Sequence, residues 1–134
     1  MLVQRGVAIA PASASLTALP RKTGKQVSRE LGGRLLLRYV LATQVRSFTS
    51  GSTVRHWVTP TAYTPSEAVT YLALPDPDLN RPYVLVLDPM RIQLIWGPHE
   101  IEGSSAIEYV LPEGFPAEAI VGPGPGNAWA LRIS

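Results

Sequence analysis

The stretch Trp57-Val58-Thr59-Pro60-Thr61-Ala62-Tyr63-Thr64-Pro65-Ser66-Glu67-Ala68 decides the expected fold, because it predicts a strand, a tight turn and a helix in direct succession. Val54, His56 and Val58 alternate with Arg55, Trp57 and Thr59, which favours a half-buried strand. Pro60 has no backbone N–H to donate to a neighbouring strand, so the strand is expected to stop there. We expect the functional surface to lie beside this joint.

The helix that follows carries a complete start signal. Thr64 suits the N-cap and Pro65 the first helical position, where its missing N–H has no cost. Glu67 falls at the third position, which completes a capping box. An apolar run continues the helix, which is expected to end at Pro75 because proline breaks a helix interior.

Composition limits the class of protein. The chain has 134 residues, of which 46% are hydrophobic, and these values suit one globular domain. No stretch approaches the roughly 20 apolar residues of a membrane-spanning helix. The net charge of +2 argues against a protein dominated by nucleic-acid binding. The absence of cysteine excludes disulfides, zinc–thiolate sites and thiol chemistry.

The other apolar stretches predict an α+β fold. Further strands are expected over residues 34–41, 83–87, 91–96, 106–111, 118–121 and 129–133, and a second short helix over residues 26–31. Six or seven short strands with one or two helices predict a single domain with a mostly antiparallel split β-sheet. We assign residues 1–23 to a flexible leader or linker, with a weak signal peptide as the alternative, and residues 24–134 to the domain.

Familiar catalytic motifs are absent from the sequence. His56 and His99 are its only histidines and have no paired spacing, so we expect no metal site. We expect His56 to be packed or at a strand edge, and His99 to lie in a surface loop. The glycines of residues 122–126 alternate with prolines, which lack the N–H groups that a phosphate would need.

Two charged residues stand out because each lies within an apolar stretch. Arg38 interrupts the run of residues 35–41, and Glu108 lies between Ile107 and Tyr109. Buried charges are usually paired, so one interpretation is a cleft with Arg38 at one end and Glu108 at the other. The other interpretation places each residue on the solvent face of an alternating strand.

Three segments carry a resemblance to a known family: Leu37-Arg38-Tyr39, residues 57–63 with the helix after them, and residues 104–112. In this order they resemble the bacterial toxin branch of the ADP-ribosyltransferase superfamily and its NAD-hydrolysing relatives of the tuberculosis necrotizing toxin type. The first segment is similar to the strand of the NAD-phosphate arginine. The second is similar to the aromatic–hydroxyl strand beside the nicotinamide pocket, and the third to the strand with the catalytic Glu or Gln.

The resemblance implies an NAD-consuming enzyme. It would break the nicotinamide–ribose bond and pass ADP-ribose to a macromolecule or to water, with NAD as substrate and no metal. Glu108 would be the catalytic carboxylate that stabilises an oxocarbenium-like state, and Arg38 would clamp the pyrophosphate with its planar fork. The loop of residues 44–53 would close over the site. The remaining NAD-binding residues would be Tyr39, Trp57, Thr59, Thr61, Tyr63 and Tyr71.

The sequence departs from the family pattern at two places. Ala106 stands where arginine-directed transferases carry a second acidic residue, and Ser104-Ser105 stand where the necrotizing-toxin relatives carry glycines. The first departure disfavours arginine as the acceptor, and a nucleic-acid acceptor stays open. The resemblance further implies a toxin or effector of bacterial competition, secreted or delivered into a target cell, that acts in the cytoplasm and has an immunity protein as a partner.

Two other functions stay open. A non-enzymatic β-rich binding or assembly module would place Arg38 and Glu108 on unrelated exposed faces and would have no pocket of ligand size. A nuclease toxin would bring His56 and His99 together in one basic groove.

Overall fold

The computed structural model describes residues 18–44, 48, 50–63, 67, 68, 70, 83–101, 106–121 and 130–132. The strands are β1 (Arg21–Thr23), β2 (Leu36–Val40), β3 (Gly51–Ser52), β4 (His56–Val58), β5 (Tyr83–Leu87), β6 (Leu94–Glu100), β7 (Ile107–Leu111), β8 (Phe115–Pro116) and β9 (Ala130–Arg132). Helix α1 is Gly24–Glu30, and 3-10 turns cover Ala42–Gln44, Pro89–Arg91 and Ala117–Ala119.

The strands form a split antiparallel sheet. One part has the order β1-β6-β7-β4, the other has the order β2-β5-β9, and β3 pairs with β8 in a separate ribbon. Leu37 and Thr59 join the two larger parts through a pair of backbone hydrogen bonds of 2.7 and 2.9 Å. The predicted α+β class with mostly antiparallel strands is confirmed.

Helix α1 begins and ends at the signals in its sequence. The Thr23 hydroxyl accepts a hydrogen bond from the Gln26 backbone N–H, and the Gln26 side chain accepts one from the Thr23 N–H, so the two residues form a capping box. The chain leaves the helix through Gly32, whose φ of 63° suits glycine. The helix predicted over residues 26–31 is therefore confirmed, with an earlier start.

Only part of the helix predicted over residues 65–74 can be compared with the structure. Glu67, Ala68 and Thr70 are helical, as expected. Its other positions, including the candidate site residue Tyr71, lie outside the described residues.

Strand β6 corrects the prediction for residues 91–96. Arg91 lies in a 3-10 turn that Asp88 caps through a 3.0 Å hydrogen bond from the Met90 N–H, so the strand starts only at Leu94. The strand then continues through Gly97-Pro98, where the sequence suggested an end. It can do so because its register against β7 shifts between Trp96 and His99, which accommodates a proline without a ladder hydrogen bond.

Two further segments differ from the prediction. The strand expected over residues 118–121 is mainly a 3-10 turn, and only Ile120 bridges to β5, through Leu87. The loop expected over residues 44–53 contains strand β3, which pairs with β8 and thereby fixes the end of the loop. Both differences come from pairing between segments that are distant in sequence.

The ordered fold begins before residue 24. Arg21–Thr23, at the end of the segment assigned to a leader or linker, forms the edge strand β1 beside β6. Strand β1 leads directly into the Thr23 cap of α1. These three residues therefore belong to the sheet.

Strand alternation gives the joined sheet two faces. The face that α1 covers, here called the α1 face, carries the main core, in which Val27 of the helix packs with Leu36, Val40, Val58 and Leu111. All five side chains are buried. The α1 face therefore has no open surface at its centre.

The opposite face, here called the aromatic face, has a different lining. Trp57 pairs with Val110, which pairs in turn with Trp96, so these three side chains form a row across the sheet. Leu19 and Val110 form a small buried cluster against which the two half-buried tryptophans pack.

Thr59 lies two residues beyond Trp57 and is therefore on the same face. Thr59 is bridged to Leu37 of β2, and Tyr39 shares that face of β2 with Leu37. Beyond the junction, this side of β2 and β5 carries a second buried core, in which Tyr39 packs with Val84, Ala68 and Ile101.

Candidate active site

Most of the described candidate residues share the aromatic face. Glu108 is two residues from Val110 on β7, so alternation places it beside the row of tryptophans. Tyr63 packs against Tyr39, with ring centroids 6.5 Å apart, and its backbone N–H donates to the Tyr39 hydroxyl. The site residues that the structure brings onto one face are Tyr39, Trp57, Thr59, Tyr63 and Glu108.

Glu108 is a buried carboxylate with a histidine partner. Only 2% of the residue is exposed, which excludes the interpretation that it lies on a solvent face. His99 lies directly opposite on β6, with its Nδ1 atom 3.3 Å from Oε1 of Glu108. A carboxylate oxygen accepts this hydrogen bond from the forms of His99 that carry a proton on Nδ1. A buried charge with a paired donor is the arrangement that a low-dielectric site requires.

Thr59 anchors the backbone next to Glu108. Its hydroxyl donates a 3.0 Å hydrogen bond to the carbonyl of Ile107 and accepts a 3.3 Å hydrogen bond from the backbone N–H of Thr61. The side chain is buried, so these bonds are shielded from water. Thr59 therefore ties the end of β4 and the following turn to β7, one residue from the carboxylate.

Arg38 lies on the other face. It pairs with Leu85 in the ladder between β2 and β5 and shares its side of the strand with Leu36 and Val40 of the main core. Its Nη1 atom donates a 3.1 Å hydrogen bond to the carbonyl of Trp57 across the junction of the sheet. This corrects the expectation that Arg38 and Glu108 face one cleft, because their strands direct the two side chains to opposite faces.

Three residues of the aromatic face were not predicted as site residues: Arg21, Trp96 and His99. His99 was assigned to a surface loop, but it lies in β6 because the strand continues past Gly97. The ring of Trp57 lies 5.8 Å from the His99 ring, and the guanidinium carbon of Arg21 lies 4.7 Å above the ring of Trp96. The register of β1, β6 and β7 sets these contacts, and no local sequence signal reports that register.

His56 has a structural environment. It is buried between the rings of Phe48 and Phe115, at centroid distances of 5.2 and 5.3 Å, and its Nε2 atom lies 2.7 Å from the Ser52 hydroxyl. Burial, and to a lesser degree the charge of Arg38, lowers the pKa of His56 to about 4. Its buried Nδ1 has no hydrogen-bond partner. A weak base whose Nδ1 makes no hydrogen bond to a carboxylate is poorly suited to activate Ser52. The expectation that His56 is a packed residue is confirmed.

The two histidines do not converge. His56 pairs with Leu111 on the α1 face, whereas His99 meets Glu108 on the aromatic face. This contradicts the arrangement that a nuclease toxin would need. Within the described ranges, no cluster of three or more His, Asp or Glu side chains has metal-binding geometry.

A groove of about 390 Å³ lies away from the candidate residues. Its walls come from the β3–β8 ribbon and the turn before β6, and include Ser52, Arg91, Leu94, Glu113 and Phe115. No described candidate site residue lines it. Of the candidate segments, Tyr71 and Ser104-Ser105 lie outside the described residues.

Comparison of the chain with protein-family models, with curated proteins and with solved structures finds no significant match. None of the helices in the described part of the chain has the length and apolar character needed to cross a membrane.

Proposed function

We propose that this chain is an NAD-consuming toxin or effector domain that breaks the nicotinamide–ribose bond and passes ADP-ribose to a macromolecule or to water. The observation that carries the proposal is the position of Glu108. It is a buried carboxylate held by His99, on the same face as Trp57 and next to the junction of a split antiparallel sheet.

The chemistry suits a single fixed carboxylate. When the bond between the ribose C1′ and the nicotinamide nitrogen breaks, its electron pair neutralises the pyridinium charge, and positive charge develops at C1′. A carboxylate preorganised in a low-dielectric site stabilises that charge, and Glu108 is held by His99 and by the Thr59 anchor on β7. The nucleophile, water or an acceptor group, then adds to C1′ and loses its proton.

The aromatic residues supply a surface for the planar ring of the substrate. Trp57 and Tyr63 are half-buried, Trp57 beside His99 and Tyr63 against the buried ring of Tyr39. Flat aromatic surfaces of this kind stack on heterocycles such as nicotinamide and adenine. The proposal keeps the acceptor open, including nucleic acid, and includes a cognate immunity protein and action in the cytoplasm of a target cell.

A non-enzymatic binding or assembly module is the second candidate. The observation that favours it is the separation of Arg38 from Glu108, which removes the expected phosphate clamp from the Glu108 side of the sheet. Burial of Glu108 argues against this candidate, because a binding module was expected to expose both charges.

Release of nicotinamide decides between the two candidates. The full chain is incubated with NAD, alone and with cell lysate, beside Glu108→Gln and the matched control Glu118→Gln, whose carboxylate is exposed in a 3-10 turn. We expect Glu108→Gln to lower the rate about 100- to 1,000-fold and the control to leave it unchanged. Turnover without lysate indicates hydrolysis, and turnover only with lysate indicates transfer. A folded wild-type chain that releases no nicotinamide in either condition contradicts the enzyme and leaves the binding module.

A further inference from the structure

The groove beside the β3–β8 ribbon has the size and lining of a binding site. Its volume of about 390 Å³ lies within the roughly 300–1,000 Å³ of ligand-binding pockets. The buried residues Ile92 and Phe115 contribute apolar surface to its lining, and the exposed residues Thr53 and Gln93 contribute polar side chains. This groove, here called the ribbon groove, is separate from the candidate active site.

One wall of the ribbon groove contains a strand edge without a ladder partner. Strand β6 begins at Leu94, but its pairing with β7 begins only at Trp96. The Gly97 N–H donates to the Pro20 carbonyl beside β1, so alternation along β6 directs the backbone groups of Leu94 to the opposite side, towards the end of β7. Because Leu94 lines the groove, an extended peptide can add to β6 here through main-chain hydrogen bonds.

Side chains of opposite charge line the ribbon groove. Arg91 lies in the turn before β6 and Glu113 in the turn after β7, and both are exposed. Within the described part of the chain, Asp88 is the only charged partner of Arg91, at 3.9 Å, and Glu113 has none. Glu113 would repel a polyanion such as nucleic acid, whereas one peptide can carry an acidic and a basic residue that match both charges. Charge complementarity therefore favours a peptide as the occupant.

Exposed apolar side chains adjoin both walls of the ribbon groove. Val54 directly follows Thr53 and is 61% exposed, and Met90 directly precedes Arg91 and is 54% exposed. They are the two most exposed large hydrophobic residues in the described ranges. Apolar surface of this kind beside a groove marks an interaction site, and it extends the footprint beyond the groove that a small molecule would fill.

The Ser52 hydroxyl supplies a positioned polar contact in the groove. Its oxygen accepts a 3.3 Å hydrogen bond from the Val54 N–H and lies 2.7 Å from Nε2 of the buried His56. In the His56 tautomer with its proton on Nε2, both lone pairs of the Ser52 oxygen accept hydrogen bonds, and the hydroxyl proton is available to a ligand. A backbone carbonyl of a peptide is a suitable acceptor.

We propose that the ribbon groove binds an extended peptide segment of a partner protein. An acidic residue of the peptide pairs with Arg91, a basic residue pairs with Glu113, and apolar residues between them pack on Phe115. The peptide backbone pairs with β6 at Leu94. Since none of these residues belongs to the candidate active site, the assignment does not depend on the NAD reaction.

Peptide display tests the proposal with the full chain. Short random peptides on phage are selected against the wild type, and the consensus peptide is synthesised with a fluorophore for anisotropy titration. We expect a consensus with one acidic and one basic residue around an apolar segment. Arg91→Gln and Glu113→Gln should each weaken its binding about 5- to 20-fold, because each removes a charge-assisted contact. The control Arg29→Gln, which changes an exposed arginine on α1, should not alter binding.

An exchange of charges distinguishes recognition from a structural effect. The double variant Arg91→Glu, Glu113→Lys should lose the consensus peptide and bind the same peptide with its acidic and basic residues exchanged. Amide signals of the isotope-labelled chain locate the peptide by NMR, and those of Gln93, Leu94 and Phe115 should shift.

Several results would overturn the proposal. They are a folded wild-type chain that selects no peptide, wild-type affinity in both single variants, and amide shifts confined to the aromatic face. If the amides of the ribbon groove shift with protein concentration alone, a second copy of the chain occupies the groove, and the assignment to a partner peptide is also overturned.

Discussion

His99 and Glu108 face each other across β6 and β7, with 3.3 Å between the histidine Nδ1 and the carboxylate Oε1. The side chain of His99 is 30% exposed and that of Glu108 is 3% exposed, so the histidine is the member of the pair that meets solvent. His99 is therefore the residue through which the environment of Glu108 can be changed without altering the carboxylate itself.

The first prediction concerns this contact. His99→Leu should lower the free energy of unfolding by about 1–3 kcal/mol, because it removes a hydrogen-bond donor from a buried carboxylate. His99→Gln retains a donor and should recover most of the loss. Urea denaturation of the three chains measures both effects. Equal stabilities for the wild type and His99→Leu would show that the contact contributes nothing to folding.

The second prediction concerns His56 and pH. Its folded-state pKa is lowered from 6.5 to about 4, so the unfolded chain binds a proton that the folded chain does not bind between these values. Stability from neutral His56 is therefore complete above about pH 6.5 and is lost as the pH falls towards 4. A shift of this size corresponds to up to about 3 kcal/mol.

Unfolding of the wild type and of His56→Gln from pH 7.5 to 4 measures this contribution. The difference in free energy of unfolding between the two chains should shrink as the pH falls, because glutamine does not titrate. The variant His99→Gln controls for loss of the other histidine and should retain the dependence. A difference that is constant with pH would mean that His56 titrates equally in the folded and unfolded chains.

The third prediction compares two glycines with positive φ. An added Cβ at Gly114 (φ 76°) would lie 2.1 Å from the carbonyl oxygen of Ser52, whereas one at Gly33 (φ 85°) would meet nothing within 4 Å. Gly33→Ala should cost only the left-handed backbone penalty of about 1–2 kcal/mol. Gly114→Ala should cost several kcal/mol more, because β3 or the turn before β8 must also move. Similar losses in thermal or urea unfolding would contradict the close approach of these backbones.

The fourth prediction concerns Tyr109. Its buried hydroxyl donates a 2.5 Å hydrogen bond to Oε2 of Glu30, and burial and the nearby carboxylate raise the pKa of Tyr109. The hydroxyl therefore stays protonated as a donor at neutral pH. Tyr109→Phe should lower the free energy of unfolding by about 1 kcal/mol. Combined with Glu30→Gln in a double-mutant cycle, it should show a coupling between the two side chains, and additive effects would contradict the contact.

Local signals in the sequence were sufficient for several elements. Residues 83–87 form the predicted strand because their apolar run has turn signals on both sides, and α1 ends before Gly32 because glycine accepts the left-handed conformation at a helix end. The apolar neighbours of Glu108 in the sequence suggested a buried charge as one interpretation, and the structure shows that the residue is buried. In each case, neighbours in the chain supply the determining interaction.

The tertiary structure alone decided which of these residues meet. Alternation along β2 and β7 tells which side chains of each strand share a face. The pairing of Leu37 with Thr59 decides which face of β2 lies on the same side of the sheet as Glu108. That pairing separates Arg38 from Glu108, and the shifted register of β6 brings His99 to the carboxylate. Strand register depends on packing between distant segments, and a shift by one residue exchanges the two faces, so local sequence determined several of the elements and the fold determined the site.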